Sequence, residues 1–441
     1  MFPVLKPVVA NGAQANIIGF NNLYDGTCPS SGASGQPFVP RVKFAYFVDA
    51  GSTPGSPVLS EDGTRVAFVT YGYNLSGMNF HVVTLGSTGN NGTAYTAPVT
   101  PCTVNGVQSC TTNNAVDASL HISTVTNSIR LISSPFVDYS GDIAYVVDQE
   151  GYIHKFTGVF RGTPSEITTG AWPFLVTFGE MLSSPVYDNV SQHLFLTSYS
   201  GHLYCIDVGS GTPALCGPTG KISIATSGLV WDAPIVDSTV GTVFAEGGNY
   251  NQATTTLLTV TQANTNLGNV VQASMGGGTP TLYDGDFDNS YYTGNYASGY
   301  LYVCAETTED VETLYRIGFN SSGTMNSAND GNSYALAPSS GGPCTPLTEA
   351  YNPNQGKDYL FVGLNWVTSQ TGCDGDDCIL SFVLGPEFPS APAATLPLDR
   401  YYGTVSGIII DNVSTETGAS QIYFTDYYSG NAMQASQNGL N

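Results

Sequence analysis

Three acidic residues alternate with other residues in the segment Tyr-Asp-Gly-Asp-Phe-Asp-Asn-Ser, which begins at Tyr283. The side chains of Asp284, Asp286 and Asp288 can project toward one centre, and a hard cation such as Ca²⁺ takes several oxygen ligands. The segment lacks the glycine and the terminal glutamate of an EF-hand loop, since Asn295 stands at the twelfth position. A bound calcium ion is therefore one expectation for this loop, and a solvated turn is the other.

A second acidic group lies inside a short loop between two cysteines. Asp374, Asp376 and Asp377 fall between Cys373 and Cys378 and form a second candidate cation site. The chain has 34 acidic residues, so carboxylate pairs suited to glycosidase chemistry can form, but no pattern singles out a pair. Many of these acids stand at predicted turns, where Asp accepts hydrogen bonds from the local backbone. They include Asp62, Asp138, Asp148, Asp188 and Asp237.

The five histidines carry no hydrolase motif, because neither HExxH nor GxSxG occurs in the sequence. His81, His154 and His202 fall on predicted strands at corresponding positions of a repeat, and the remaining two are His121 and His193. A histidine that recurs at one structural position is interpreted as a packing residue rather than as a general base. We therefore expect no catalytic residue among them.

Nine cysteines are present, and none of their spacings fits a zinc or c-type haem motif. Four pairs follow from proximity in sequence: Cys102/Cys110, Cys205/Cys216, Cys304/Cys344 and Cys373/Cys378. Cys28 is then left over, either buried or bonded to a neighbouring chain. We expect disulfides and an oxidising compartment, and buried free thiols are the alternative.

The chain of 441 residues has a formal net charge of −23, although only 10% of its residues are charged. Eleven scattered Lys and Arg residues cannot form a phosphate-binding stripe, so nucleic acid is excluded as a partner. No apolar run reaches the roughly 18 residues of a membrane span. Because the polar residues are mostly uncharged, we expect an extracellular or cell-surface location, with no usual signal peptide in the first residues.

A unit recurs along the chain: a small residue, usually Pro, an apolar strand, an Asp/Gly turn and an aromatic-rich second strand. A third strand and a fourth strand follow in most copies. Neighbouring copies in the middle of the chain stand roughly 50 residues apart, which is the length of one four-stranded propeller blade. The pattern predicts an all-β fold, a seven-bladed β-propeller with four-stranded antiparallel blades. The copies begin near Ser56, Ser134, Ser184, Ala233, Thr279, Thr345 and Ser406.

The ends of the chain suggest how such a ring closes. After the first two strands of the last copy, near 407–411 and 421–426, few and mostly polar residues remain. We therefore predict that residues 16–49 supply the outer two strands of the last blade, so that residues 13–441 form one domain. Residues 1–12 form an apolar N-terminal arm, which lies on its own propeller, is disordered or adds to a neighbouring subunit.

The segment SSPVYDNVSQHLFLTSYSGHLYCIDVGSGTP, from Ser183, resembles the repeat of PQQ-type and quinoprotein-like bacterial propellers. The resemblance implies the propeller fold over most of the chain. Quinoprotein dehydrogenases of this fold use a catalytic Asp, a metal ion, Trp residues stacked on the cofactor and sometimes adjacent cysteines. This chain has no Cys-Cys pair and only Trp172, Trp231 and Trp366, so we expect no quinone cofactor.

These features favour a non-catalytic, secreted propeller that acts as a structural or adhesive subunit of an extracellular assembly, including a filamentous one. Self-association through the inserted loops and the N-terminal arm is the expected partner interaction. The 27 tyrosines, clustered at Tyr291/Tyr292, Tyr401/Tyr402 and Tyr427/Tyr428, suit glycan or protein contacts but are also ordinary strand residues. The alternative functions are a quinoprotein-like oxidoreductase and a carbohydrate-active or carbohydrate-binding propeller. Calcium is the one cofactor candidate.

Overall fold

The computed structural model describes most of the chain, and the observations below concern that part. It comprises residues 2–3, 14–21, 41–49, 51–53, 55–71, 77–87, 89–94, 96–103, 113–123, 133–225, 230, 232–248, 257–277, 283–307, 311–337, 344–367, 373, 376–398, 405–411, 421–426 and 431–436. These residues form β-strands with one four-residue α-helix and one 3₁₀ helix. The chain divides into two compact units, residues 1–196 with 206–214, and residues 197–205 with 215–441.

The first unit contains three complete sheets, with strand orders β1-β2-β3, β4-β5-β6-β8-β7 and β12-β11-β10-β9, and β13 pairs with β11 in the third. All pairings are antiparallel except that of β7 with β8. The strands are β1 (Phe2–Pro3), β2 (Ile17–Asn21), β3 (Arg41–Tyr46), β4 (Val58–Leu59), β5 (Arg65–Tyr71), β6 (Met78–Thr84), β7 (Cys102–Thr103), β8 (Val116–Ser123), β9 (Phe136–Asp138), β10 (Ile143–Val147), β11 (Tyr152–Thr157), β12 (Ser165–Glu166) and β13 (Phe174–Leu175).

The next sheet along the chain has the order β14-β15-β16-β17, and β18 pairs with β16. Its strands are β14 (Val186–Asp188), β15 (His193–Ser198), β16 (His202–Asp207), β17 (Ala214–Leu215) and β18 (Lys221–Ser223). The predicted third strands at 152–157 and 202–207 and the predicted fourth strands at 174–175 and 221–223 are thereby confirmed.

The second unit contains three four-stranded antiparallel sheets, β19-β20-β21-β22, β23-β24-β25-β26 and β27-β28-β29-β30, and a three-stranded sheet, β31-β32-β33. Its elements are β19 (Ile235–Asp237), β20 (Thr242–Gly248), β21 (Leu258–Asn264), β22 (Val271–Met275), β23 (Asp286–Phe287), α1 (Asn289–Tyr292), a 3₁₀ helix (Tyr296–Ser298), β24 (Tyr300–Glu306), β25 (Glu312–Gly318), β26 (Ser333–Ala335), β27 (Thr348–Asn352), β28 (Lys357–Val367), β29 (Asp376–Leu384), β30 (Ala394–Leu398), β31 (Ile409–Asp411), β32 (Gln421–Asp426) and β33 (Asn431–Ser436).

The central strands are buried on both faces, and for this reason their sequences are nearly continuous apolar runs. β10 buries all but its first residue, and β24 buries all but its first and last residues. Large aromatic side chains fill the space between neighbouring sheets: Phe80 stacks on Phe156 in the first unit, and Phe244 packs edge-to-face on Phe287 in the second. Burial of such side chains is the main source of stability in a fold with so little helix.

The predicted Asp turns are confirmed. In each of five turns an Asp carboxylate accepts a hydrogen bond from the backbone N–H two residues later, as Asp237 does from Thr239 at 2.8 Å. The other four are Asp62, Asp138, Asp148 and Asp188. This contact holds the chain reversal between strands without help from the core.

The small residue that opens each copy of the repeat links neighbouring sheets in the first unit. The backbone N–H of Ser56 donates to the hydroxyl of Ser134 at 2.8 Å, and the N–H of Ser134 donates to the hydroxyl of Ser184, also at 2.8 Å. Ser134 therefore donates through its backbone N–H and accepts through its hydroxyl. The accepting hydroxyl explains why serine recurs at the start of copies.

The fifth copy departs from the sequence expectation. The repeat places its second strand at the tyrosine-rich segment 289–294, but residues Asn289–Tyr292 form α1. The second strand begins only at Tyr300. The physical reason is the carboxylate of Asp288, which caps the first turn by accepting from the N–H of Tyr291 and so favours helix over strand.

The last copy also differs from the expectation. Residues Asn431–Ser436 form β33 and pair with β32 along its whole length, so the third strand of this copy comes from the C-terminal residues and not from the N-terminus. Ala432, Met433 and Ala435 give the segment enough apolar character to extend the sheet. The strands of residues 16–49 pair with each other and with β1. Closure of a seven-bladed ring by these strands stays a prediction.

Three of the expected disulfides are present: Cys205–Cys216, Cys304–Cys344 and Cys373–Cys378. Cys102 is also disulfide-bonded. The remaining two cysteines, Cys28 and Cys110, lie outside the described residues. Within the described part, neither helix is long and apolar enough to cross a membrane.

Candidate functional site

The structure places the three carboxylates of the Asp284 loop in three different environments. Asp288 is buried and serves as the N-cap of α1, with its Oδ1 3.0 Å from the backbone N of Tyr291. Burial raises the pKa of Asp288 to about 6, against the opposing effect of its backbone hydrogen bonds and of Arg316. Its role is thus to begin the helix.

Asp286 binds the neighbouring sheet. Its Oδ2 accepts from the backbone N of Glu349 at 2.7 Å, and its Oδ1 accepts from the hydroxyl of Tyr292 and from the backbone N of Phe287. Burial raises the pKa of Asp286, and these three donors oppose the rise. The carboxylate is satisfied by hydrogen bonds from two sheets and α1.

Asp284 faces two acids that the sequence pattern did not single out. The backbone N of Asp284 donates to Oδ2 of Asp232 at 3.1 Å, and the backbone N of Gly285 donates to Oε1 of Glu246 at 2.9 Å. Burial, followed by the charges of Asp232 and Glu246, raises the pKa of Asp284 well above its usual range. These three carboxyls come from three separate segments of the chain, and we call them the acidic trio.

Two further acids lie on β27 and β28. Burial, together with the neighbouring Asp358, raises the pKa of Glu349. Oδ2 of Asp358 accepts from the backbone N of Asn289 at 2.8 Å. The buried carboxyls of the site therefore stay protonated at pH values where exposed acids are ionised.

The raised pKa values of these carboxyls predict how the stability of the chain depends on pH. A raised carboxyl pKa means that the folded chain binds protons more tightly than the unfolded chain, so stability falls as pH rises between the unfolded and folded values. Burial raises the pKa of Glu246 to about 8. We expect the Tm to fall by about 3–5 °C between pH 5 and pH 8, and the fall to be smaller in Glu246→Gln. Scanning calorimetry across this range measures the Tm of the unchanged protein, of Glu246→Gln and, as the control, of exposed Glu387→Gln. An equal fall of Tm with pH in all three proteins would contradict the raised pKa of Glu246 as its cause.

The second candidate loop is only partly described. The disulfide Cys373–Cys378 closes it, and Asp377 is buried with 2% exposure. Asp374 lies outside the described residues, and nothing is described of the Asp376 side chain. Cation binding in this loop and in the Asp284 loop stays a prediction.

His81 forms the arrangement that most resembles a catalytic relay. Its Nδ1 lies 2.9 Å from Oδ2 of Asp117 and its Nε2 lies 2.9 Å from the hydroxyl of Thr70. However, Thr70 is fully buried and its hydroxyl lies 2.6 Å from Oδ2 of Asp49, while His81 is 1% exposed. Substrate cannot reach the hydroxyl in this arrangement, so the relay is a structural contact inside the sheet.

Burial opposes the charged form of His81, but Asp117 and Asp49 outweigh it and raise the pKa of the imidazole to about 10. His154 repeats the arrangement, with Nδ1 2.6 Å from Oε1 of Glu166 and Nε2 3.1 Å from Oδ2 of Asp148. Burial again opposes the charged form and the two carboxylates raise the pKa of His154. The expectation that these histidines occupy strand positions is confirmed.

No protein-family profile and no curated protein sequence matches the chain. Solved structures do match: Sqt1 from Chaetomium thermophilum superposes with a TM-score of 0.56 at 12% identity, covering 91% of this chain and 86% of that chain. A second crystal structure of Sqt1 gives 0.54 at 11% identity with the same coverage. Sqt1 is a WD40 repeat protein. The fold is that of a β-propeller. At this identity the likeness shows the fold alone.

The comparison corrects one expectation. The repeat segment from Ser183 resembles quinoprotein-like propellers, but the similar solved structures are WD40 repeat proteins, so the assignment to the quinoprotein family is wrong. A Ser-Pro strand followed by an Asp/Gly turn satisfies the backbone of any four-stranded blade. The motif therefore reports blade geometry rather than ancestry. Of the three tryptophans, Trp172 is buried under Lys155, Trp231 lies outside the described residues and the Trp366 side chain is not described.

Proposed function

We propose that this chain is a non-catalytic propeller scaffold that acts as a structural or adhesive subunit of an extracellular or cell-surface assembly. The observation that carries the proposal is that its most reactive side chains are held in structural contacts. The cysteines at 205, 216, 304, 344, 373 and 378 are closed in disulfides. His81 and His154 are each locked between two carboxylates.

Disulfides support the location outside the cytosol, because they form and persist in oxidising compartments. The low charge content supports assembly, because few charged groups need to lose their water when subunits pack together. The net charge of −23 opposes the approach of identical subunits at neutral pH. Assembly through polar and tyrosine-rich loops should therefore be favoured by acid or by divalent cations, both of which reduce this charge.

Negative-stain electron microscopy of the purified full chain tests the proposal at pH 5 and pH 8, each with CaCl₂ or with chelator. We expect filaments, sheets or tubes at pH 5 or with Ca²⁺, and dispersed particles at pH 8 with chelator. Dispersed particles under all four conditions would reject the structural-subunit function. Assembly that is strongest at pH 8 with chelator would contradict the expectation that the negative net charge opposes assembly.

A further inference from the structure

The acidic trio surrounds a short stretch of backbone. Asp232 precedes β19, Glu246 lies on β20 and Asp284 precedes β23, and the first two carboxylates each accept one backbone N–H from residues 284 and 285. These hydrogen bonds fix the position of the trio. They use one oxygen of Asp232 and one of Glu246 and leave the other oxygens available to a ligand.

Glu246 is the deepest member of the trio. Glu246 is 7% exposed, and its second oxygen, Oε2, is buried and has no hydrogen-bond partner among the described residues. A buried carboxylate oxygen without a partner is costly, so such an atom indicates a ligand. Gly285 makes room for the carboxylate, because a Cβ at that position would lie 2.9 Å from Oε1 of Glu246 and 2.3 Å from the carbonyl oxygen of Tyr302.

None of the described Lys and Arg residues forms an ion pair with the trio. The neighbouring stretches outside the description, 226–229, 231, 249–256 and 278–282, contain neither Lys nor Arg. Within the described part of the chain, protons or an ion from solution are left to balance the three negative charges.

We propose that Asp232, Glu246 and Asp284 bind one divalent cation, of which Ca²⁺ is the best match. The ligands would be Oε2 of Glu246 and the carboxylates of Asp232 and Asp284. All are hard oxygen donors, as Ca²⁺ prefers, and the half-buried positions of Asp232 and Asp284 leave the ion a route from solvent.

The spacing of the donors bears on the kind of ion. In the described residues, three potential ligands with all donor atoms within 4.8 Å of one another occur only where disulfide sulfurs take part. The oxygens of the trio are therefore not all within 4.8 Å of one another, and binding one ion would require the carboxylates to move closer together. Ca²⁺ accepts six to eight oxygens in flexible arrangements, whereas Mg²⁺ demands a near-ideal octahedron.

The other acids of the region are engaged elsewhere, which sets the boundary of the site. Asp286 accepts from the sheet that contains Glu349, and Asp288 caps α1. The negative charge of Asp286 still helps to raise the pKa of Asp284, and the charge of Asp232 helps to raise the pKa of Tyr283. Protons and the ion compete for the same carboxylate oxygens. Affinity should therefore rise as pH is raised from 6 to 9.

Calorimetric titration of chelator-treated full chain with CaCl₂ at pH 8.5, combined with the Tm in the same buffers, tests the site. We expect one bound ion per chain and a Tm rise of about 3 °C at one hundred times Kd. Glu246→Gln should lower the affinity at least tenfold and reduce the Tm rise at the same calcium concentration to about half or less. Exposed Glu387→Gln, which removes one charge away from the trio, should bind as the unchanged protein does.

The stability of ion-free Glu246→Gln separates a lost ligand from a misfolded chain. Its Tm at pH 8.5 without calcium should equal or exceed that of the unchanged protein, since a buried charge has been removed. Unchanged calcium affinity in Glu246→Gln, absence of binding at pH 8.5, or equal losses in Glu246→Gln and Glu387→Gln would each overturn the proposal. Each of the two variants removes one negative charge, so assembly would affect both alike, and the difference between them reports on the trio whether or not filaments form.

Discussion

Replacing His81 with Gln is expected to lower the free energy of unfolding by about 3–5 kcal/mol at pH 7, because removal of one partner leaves buried charge uncompensated. The imidazole lies between Oδ2 of Asp117 and Oδ2 of Asp49 and is 1% exposed. Gln is neutral, so both carboxylates would lose their counter-charge. Chemical denaturation of the two proteins at pH 7 measures the difference.

The same variant has a pH signature. The pKa of His81 is raised to about 10 in the folded chain, so its stabilising charge is fully present below the unfolded value near 6.5 and is lost as pH rises through 10. The gap between the unchanged protein and His81→Gln should therefore narrow between pH 7 and pH 10. His121→Gln is the matched control, because His121 is exposed and contacts only Asn79 in the described structure. A gap that stays constant to pH 10 would show that His81 acts by packing and not by charge.

Removal of the Cys304–Cys344 disulfide is also expected to lower the free energy of unfolding strongly. The two cysteines are 40 residues apart in sequence. The chain entropy of a loop of this length predicts that opening it lowers the free energy of unfolding by roughly 4 kcal/mol. The sulfurs are buried, and Oε2 of Glu312 lies 3.6 Å from Sγ of Cys304. We expect the Cys304→Ala/Cys344→Ala variant to unfold at a clearly lower temperature in scanning calorimetry.

The Cys373–Cys378 disulfide provides the comparison, since its residues are only 5 apart and the same argument gives roughly 2 kcal/mol. Cys373→Ala/Cys378→Ala should therefore lose about half as much stability as the Cys304/Cys344 variant. If the short loop costs more than the long one, loop entropy does not govern these bonds.

Much of the fold was predictable because two features are local. A central strand with apolar residues on both faces and an Asp turn whose carboxylate binds its own backbone both depend on neighbours in sequence. For this reason strands such as β11, β16 and β25 begin and end near the predicted residues. The helix at Asn289–Tyr292 escaped prediction because its cap, Asp288, looked equally like a cation ligand.

The acidic trio could be predicted only in part, because its members lie 52 residues apart at the extremes and meet through tertiary structure. Asp284 was marked by its alternating pattern, whereas Asp232 and Glu246 stand singly. One signal was available: Glu246 interrupts the apolar strand β20 near its end, the region where Asp148 and Ser198 also stand in their copies. A charge inside a buried strand indicates a partner that the sequence does not name.

The serine links between sheets bear on how such a chain changes in length over evolution. Ser56 donates to Ser134 and Ser134 donates to Ser184 through the same pair of atoms at the same distance. A copy that is duplicated or lost therefore leaves behind a donor and an acceptor that fit each other. The junction is interchangeable along this part of the chain, so that new copies can be inserted without a new interface having to arise with them.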